Sequence, residues 1–398
     1  MITWPERLNV DRFLLRDRLD EGHGDAPALL LDGSVVTYAE VDEAASAIGA
    51  KLGELGVGHQ DRVLIVLPDG LPYVAALFGI FRIGAVAIML NPGLTVEGMS
   101  AVIRSSRASA TVVHADHLSG YREAVAAADW RPDELVVDQT TSLSGSSLPT
   151  FDTAAVDPAL WMFSGGTTGT PKAVPQSHRS LANTTQLYGR DTLGLQGDDV
   201  TIAVPKLYFG YATGSNLFFP FSVGASVVLF PGPATPQAIV ERIERHRATV
   251  LVTVPSAVNQ LLSDPVSSKS DLSSLRFATT AGEALPETLY HRWKERFGVE
   301  LLDGLGTAEM WHIFITNTLG DVRPGTLGRV VPGFEIKACD EEGVEVAAGD
   351  VGRLWVRGGS LGPGYWESPE QTAESFRGEW FVGGDLISID EEGYVTHR

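Results

Sequence analysis

Residues 162–174 read MFSGGTTGTPKAV, in which Ser164, Gly165, Gly166, Thr167, Thr168 and Gly169 precede a single cation, Lys172. Glycines let backbone N–H groups approach an anion closely, hydroxyls add donors and the lysine adds charge, so the segment is suited to wrapping a phosphate. It is not the common nucleoside-triphosphate loop, in which Ser or Thr follows the lysine. Here Lys172 follows Pro171 and precedes Ala173, so it opens no helix of that kind. A second stretch, DGLGTAEM at residues 303–310, offers the carboxylates of Asp303 and Glu309. Glu309 lies between a strand pattern and the apolar run MWHIFI, a poor place for a merely solvated acid. A third carboxylate, Asp385, follows two glycines in GGDL.

The elements that must position these groups alternate between strand and helix patterns. Thr37 and Glu40 in TYAE form a capping box that opens an amphipathic helix, and Gly56 stands where it should stop. RVLIVL (62–67) is a continuous apolar run, as expected of a strand buried on both faces. A helix is predicted from about Leu71, then a strand at AVAIML, a helix near residues 96–105 and a strand at ATVVHA. Such alternation predicts βαβ units on a mostly parallel sheet. QTTSLSGSSLPT (139–150) is small and polar and reads as a flexible surface connection. From Val322 short alternating strands are punctuated by Gly, Pro and Asp, which predicts an antiparallel or barrel-like unit.

The chain has 398 residues, 44% of them apolar, enough for a large core and more than one structural unit. Its formal net charge of -20 would repel a phosphate backbone, which argues against nucleic acid as a partner and reads as a solvated surface. The single cysteine, Cys339, allows neither an intrachain disulfide nor a cysteine metal cluster, in keeping with a reducing cytoplasm. The N-terminus has no apolar core of a signal peptide. The most apolar stretch, 73–90, is broken by Arg82 and two glycines and reads as a buried helix running into a strand, not a membrane span. His178 and the other histidines show no ligand spacing and read as structural or exposed.

In chain order, FSGGTTGTPKAV, TAGEALP (280–286), DGLGTAEM and WFVGGDLISIDEEGY resemble the signature segments of adenylate-forming enzymes: acyl- and aryl-CoA synthetases, peptide-synthetase adenylation domains and luciferases. The resemblance covers essentially the whole chain. Through KLYFGYATGSN, DGLGTAEMWHIFITN and GDVRPGTLGRVVPGFEI it is nearest to benzoate-CoA ligases. It implies an α/β fold, the large N-terminal domain of such an enzyme. Two helix-flanked, mostly parallel sheets (approximately 1–205 and 206–321) would be joined by a small antiparallel β-barrel-like unit (322–398). It also implies ATP, AMP, Mg2+ and coenzyme A as cofactors, a carboxylic acid as substrate and a cytoplasmic location, and it leaves a homodimer open.

On that resemblance, Ser164 through Lys172 would hold the triphosphate, with Thr167 and Thr168 on its β- and γ-oxygens and Lys172 as counter-charge. Glu309, with Thr168, would bind Mg2+; a hard cation bridging phosphate oxygens needs only one or two carboxylates. Gly282 and Glu283 would flank the adenine through their backbone, and Asp303, beside Gly304, would accept from its amino group. Asp385 would accept from both ribose hydroxyls. Tyr208, Phe209, Gly210, Tyr211, Gly214 and Gly306 would line the acid pocket, with His312 near its base. Aromatic walls and glycine floors suit a flat ring or a bulky rigid acid.

Two departures from the family pattern stand out. Ala308 occupies the place usually held by a Thr whose hydroxyl donates to the α-phosphate. Charge builds there as the carboxylate attacks, and losing one such donor costs about 2.7–4 kcal/mol in the chemical step. Thr307 would substitute in part, but a strand would point its side chain the opposite way. The sequence also stops at DEEGYVTHR, where the family continues into a hinge and a small C-terminal domain with the adenylation lysine. The chain alone is therefore expected to bind nucleotide and acid but to be nearly inactive. The leading reading is an acid–CoA ligase core with Lys172, Thr307 and Glu309 as its catalytic residues. Alternatives are an adenylation-impaired ligase that thioesterifies a preformed acyl-adenylate, a stand-alone adenylation domain loading a carrier protein, and a non-catalytic acyl-AMP-binding module.

Overall fold

The computed structural model describes residues 2–138, 141–164, 172–267 and 270–398, and of Ser164 the backbone alone. Among these, three sheets form. The first runs Asp133–Val137, Ala110–His114, Arg62–Val66, Val86–Met89, Pro158–Ser164, Lys172–Ser177. It is parallel except for its last pair, where Phe163 faces Ala173 and Ser164 faces Lys172 in antiparallel register. The continuous apolar run RVLIV is explained by two-sided burial. Val63 and Ile65 face the core shared with the helices Tyr38–Glu54 and Leu71–Arg82; Leu64 and Val66 face Val96–Ser106 and Leu118–Ala128.

The helix Tyr38–Glu54 begins as its sequence requires. Thr37 accepts from the Glu40 amide and the Glu40 carboxylate accepts from the Thr37 amide. It packs against Leu71–Arg82 at backbone distance, since a Cβ added at Gly79 would lie 2.7 Å from the Ala45 carbonyl oxygen. Arg82, fully buried at the end of its helix, is matched by bonds to Asp11 (2.7 and 3.1 Å), Asp42 (2.6 Å) and Ser46 (2.6 Å). That network is why an arginine is tolerated within so apolar a stretch.

The polar connection after the first sheet is less free than its composition predicts. Leu148 packs against Gly49 and accepts at its carbonyl from Arg16 (2.7 Å), and Thr150 donates to Asp11 (2.6 Å). These contacts dock its described part onto the buried ionic network; composition alone cannot show that docking.

The second sheet has nine strands in the order Arg329–Val330, Ile313–Thr316, Glu300–Gly306, Phe277–Thr280, Val250–Thr253, Val200–Ala203, Ser226–Val228, Pro27–Leu30, Val35–Thr37. Its last two strands come from near the N-terminus, so sheet membership does not follow chain order. The third sheet is antiparallel and built from Phe334–Cys339, Val351–Gly358, Trp380–Ile389, Phe376–Arg377 and Val395–His397. No helix among the described residues is long and apolar enough to cross a membrane.

Candidate active site

The first and second sheets meet at a cavity of about 520 Å³. Met162 lines it from the first sheet; Phe209, Tyr211, Gly282, Gly306, Thr307, Ala308 and His312 line it from the second and its loops. The glycines are required by proximity. A Cβ at Gly210 would lie 2.1 Å from Met162 Cε, one at Gly214 2.4 Å from His312 Cδ2, and one at Gly306 2.5 Å from the His312 carbonyl oxygen. Of the expected pocket residues, Phe209, Tyr211, Gly306 and His312 border the cavity, whereas Gly210 and Gly214 let the wall pack closely. Tyr208 stands behind it, its ring 4.7 Å from that of Phe209. Gly304 holds the strand pair, with Ile315 O 2.8 Å from where its Cβ would be.

His312 is buried, which lowers its pKa to about 4, so its ring is neutral. Its Nε2 lies 3.0 Å from the Tyr211 carbonyl oxygen, which makes Nε2 the protonated nitrogen. His178 is equally buried and its pKa is lowered to about 3. Its Nδ1 accepts from the Val10 amide at 3.2 Å, a structural role as expected. No group of three or more His, Cys, Asp or Glu that could hold a metal occurs among the described residues.

The turn carrying Glu309 begins where the strand Glu300–Gly306 stops. Thr307 caps a short helical turn, accepting from the Met310 amide at 3.3 Å. Thr307 is therefore off the strand, and it borders the same cavity as Ala308. Strand alternation, which would have turned it away, does not apply. Trp311 follows with φ 70° and ψ -51°, and the His312 amide bonds the Met310 carbonyl at 2.9 Å. This is a γ-turn of the strained hand, and strain of this kind persists only when packing imposes it. Burial of the Trp311 ring and its stacking on Phe218 at 5.7 Å supply that packing.

Glu309 is 5% exposed, and its carboxylate accepts one hydrogen bond among the described residues, from the Tyr365 hydroxyl at 2.7 Å. Lys172 opens the strand Lys172–Ser177, not a helix, and its Nζ lies 4.7 Å from the centre of the Tyr365 ring. It has no carboxylate within ion-pair distance among the described residues, and Glu309 likewise has no cation. Gly165, Gly166, Thr167, Thr168 and Gly169 lie outside the described residues, as does the side chain of Ser164. The strand that follows them sets Lys172 over the ring of Tyr365, whose hydroxyl bonds Glu309 on the neighbouring turn.

Asp303 sits on the strand Glu300–Gly306 opposite Thr280. Its carboxyl receives a bond from the Gly304 amide, yet among the described residues Oδ1 is buried without a partner, as is Thr280 Oγ1. Burial pushes this carboxyl up to about 8. Two adjacent unsatisfied polar atoms next to the cavity-lining Ala281 and Gly282 fit a ligand that brings its own donors. Gly282 has φ 86°, a glycine conformation. The Glu283 side chain turns elsewhere: it accepts from the Ser256 amide and hydroxyl, both at 2.9 Å, and caps the helix Pro255–Ser263. Asp385 lies at a bulge of Trp380–Ile389 opposite Leu354, with His397 Nε2 3.4 Å from its carboxylate. Bulges of this kind re-aim a side chain out of the ladder.

Two residues escape sequence reasoning. Tyr365, in GPGYW, carries no motif that marks it. Asp69, in VLPDGLPY, has a faint signal, an acid between an apolar strand and an apolar helix. It is buried and accepts from the Leu207 amide at 3.0 Å, while Tyr73 donates to the Leu207 carbonyl at 3.0 Å. Burial raises the Asp69 carboxyl to about 6 despite nearby Lys206, whose own pKa burial lowers to about 8. The loop and helix that follow the strand Arg62–Val66 thus clamp the peptide that leads into the Phe209–Tyr211 wall.

The antiparallel strand pair on either side of residues 165–171, the buried acids Asp303 and Glu309 at the cavity and the small antiparallel third sheet form the architecture of the large domain of an adenylate-forming enzyme. The chain belongs to the AMP-binding enzyme family, which it matches over residues 16–366. It is 36% identical to a benzoate–CoA ligase of Thauera aromatica over 407 residues, covering all of this chain and 77% of that one. Its fold matches that of the anthranilate CoA ligase AuaEII, solved with anthranoyl-AMP, with a TM-score of 0.95 and 34% identity over 99% of this chain and 78% of that one. A benzoate CoA ligase from Burkholderia xenovorans LB400 gives a TM-score of 0.90 and 32% identity, with 98% and 78% covered.

Proposed function

We propose that the chain is the acid- and nucleotide-binding core of an aryl-acid CoA ligase that uses ATP with Mg2+. The observation that carries this is one continuous wall. Phe209, Tyr211 and His312 bound an apolar slot, and the same wall runs through Thr307 and Ala308 to Glu309. An aromatic ring in the slot would place its carboxylate beside Thr307. The carboxylate oxygen would attack the α-phosphorus, pyrophosphate would leave, and the acyl-AMP would pass its acyl group to the thiol of CoA with release of AMP.

The residues present fit the nucleotide and the metal. The unsatisfied Asp303 Oδ1 and Thr280 Oγ1 suit a base with donors, and Glu309, with one partner, suits a cation held mainly by phosphate oxygens. Magnesium, when bound, supplies charge neutralisation on the phosphates. Thr307 takes the α-phosphate donor role that Ala308 cannot fill: its hydroxyl oxygen accepts from Met310, which leaves the hydroxyl proton to donate.

Calorimetric titration of the chain with non-hydrolysable acyl-AMP analogues tests the reading. A benzoyl or aminobenzoyl analogue is expected to bind at least about tenfold tighter than a long-chain alkanoyl one; the reverse order would sink the aryl assignment.

A further inference from the structure

The nucleotide reading leaves Tyr365 without a role, and its geometry supplies one. Its hydroxyl donates to Glu309 Oε1 at 2.7 Å, and its ring face carries the Lys172 ammonium at 4.7 Å. Lys172 and Glu309 are not ion-paired, although each is poised on the same side chain. A cation over a tyrosine face is held by the ring quadrupole without being neutralised, and a carboxylate accepting a hydroxyl keeps its charge.

The tyrosine is itself fixed. Its amide donates to Thr372 Oγ1 at 2.9 Å, and its ring meets Phe376 edge-on at 5.4 Å. On either side, the Gly362 amide bonds the Glu309 carbonyl at 2.8 Å and the Trp366 amide bonds the Ala173 carbonyl at 2.9 Å. The segment therefore straps the start of the lysine strand to the Glu309 turn, with Tyr365 between them.

We propose that Tyr365 is a positioning residue that keeps Lys172 and Glu309 apart, so that neither charge is spent on the other before Mg·ATP arrives. Without the ring, the flexible lysine side chain pairs with the buried carboxylate. The phosphates then lose their cation, and the metal loses its carboxylate. The inference rests on the ATP-binding reading and deepens it. Its substrate-side consequence is specific to the β- and γ-phosphates, because AMP lacks the groups that Lys172 would meet.

The test is calorimetry of the full chain and its variants with Mg·ATP and, separately, with AMP. Tyr365→Ala is expected to weaken Mg·ATP binding about tenfold or more while AMP binding changes by less than about twofold. Tyr365→Phe keeps the ring and is expected to retain Mg·ATP affinity within about threefold. Rescue by Phe combined with an ATP-selective loss in Ala supports the spacer. Equal weakening in Phe and Ala overturns it, because the hydroxyl bond to Glu309 would then account for everything. Equal losses for ATP and AMP, or no loss in any variant, also overturn it. If the Ala variant does not fold, Tyr365→Leu replaces it, with loss of Mg·ATP affinity expected and wild-type affinity overturning the idea. Failure of the unaltered chain to bind either nucleotide would instead bring down the ATP-binding reading itself.

Discussion

Two buried carboxylate sites in this molecule are treated in opposite ways. Asp11 and Asp42 surround Arg82, Arg16 pairs with Asp42, Thr150 donates to Asp11 and Ser46 accepts from Arg82. Asp303 is nearly as deep, 5% exposed, yet among the described residues it has no cation beside it and leaves Oδ1 unpartnered. The first arrangement is closed within the chain and serves architecture, joining the N-terminal helices to the connection after the first sheet. The second is open toward a ligand. Burying a charge costs several kcal/mol unless it is compensated, so the closed site holds ions, whereas Asp303 keeps its proton up to about pH 8 and retains an atom free for a ligand.

The largest expected effect strikes the closed site. Arg82→Ala leaves Asp11 buried without a cation and Asp42 with Arg16 alone, and is expected to cost about 3–5 kcal/mol of stability, read from a denaturant melt. A loss under about 1 kcal/mol would mean that solvent reaches the network and that the contrast with Asp303 is false.

The open site is tested by pH. An acid whose folded pKa is raised from 3.8 to about 8 favours the folded state fully at low pH, and that contribution drains away as the pH rises through this window. Relative to Asp303→Asn, the unaltered chain is expected to lose stability between pH 4 and 8 with a slope of up to about 1.4 kcal/mol per pH unit. Parallel melting curves for the two proteins would place Asp303 in a compensated environment after all.

Asp69 is intermediate, a buried acid with one backbone partner. Asp69→Ala leaves the Leu207 amide unsatisfied and is expected to weaken binding of an aroyl-AMP analogue by about 1–3 kcal/mol while sparing AMP. Equal losses for both ligands would show a general loosening rather than a clamp on the acid wall. The smallest effect belongs to Glu283, whose carboxylate caps a helix from outside it. Glu283→Ala is expected to cost about 1 kcal/mol of stability and to leave nucleotide affinity unchanged. A marked affinity loss would instead give its side chain a part in the site.

Much of this was legible in the residues. The capping box at Thr37–Glu40, the two-sided apolar strand at residue 62 and the change of character after Val322 all emerge as elements in the structure. Each rests on local pattern, where neighbours in sequence decide the outcome. Order among four motifs carried the family, and the comparisons agree with it. What local pattern misses has its cause outside that pattern. Strand alternation misplaces Thr307, because nothing in TAEM announces that the strand stops one residue earlier. Composition marks 139–150 as a flexible surface connection; the docking of its described part stays hidden because its partners, Arg16 and Asp11, are remote in sequence.

By itself, then, the sequence determined which chemical groups were available: a glycine-rich loop ending in one lysine, an acid after TA, an acid after GG and aromatic residues around glycines. It also determined that Ala308 brings no hydroxyl. Only the tertiary structure decided how those groups are used. Placing Tyr365 between Lys172 and Glu309 takes contacts across more than fifty residues and two sheets, and orphaning Asp303 while satisfying Asp11 depends on which donors fold back to each. Hydrogen bonds and burial act through space, so a residue's charge can be read from the chain, but the energy of that charge is set by what surrounds it.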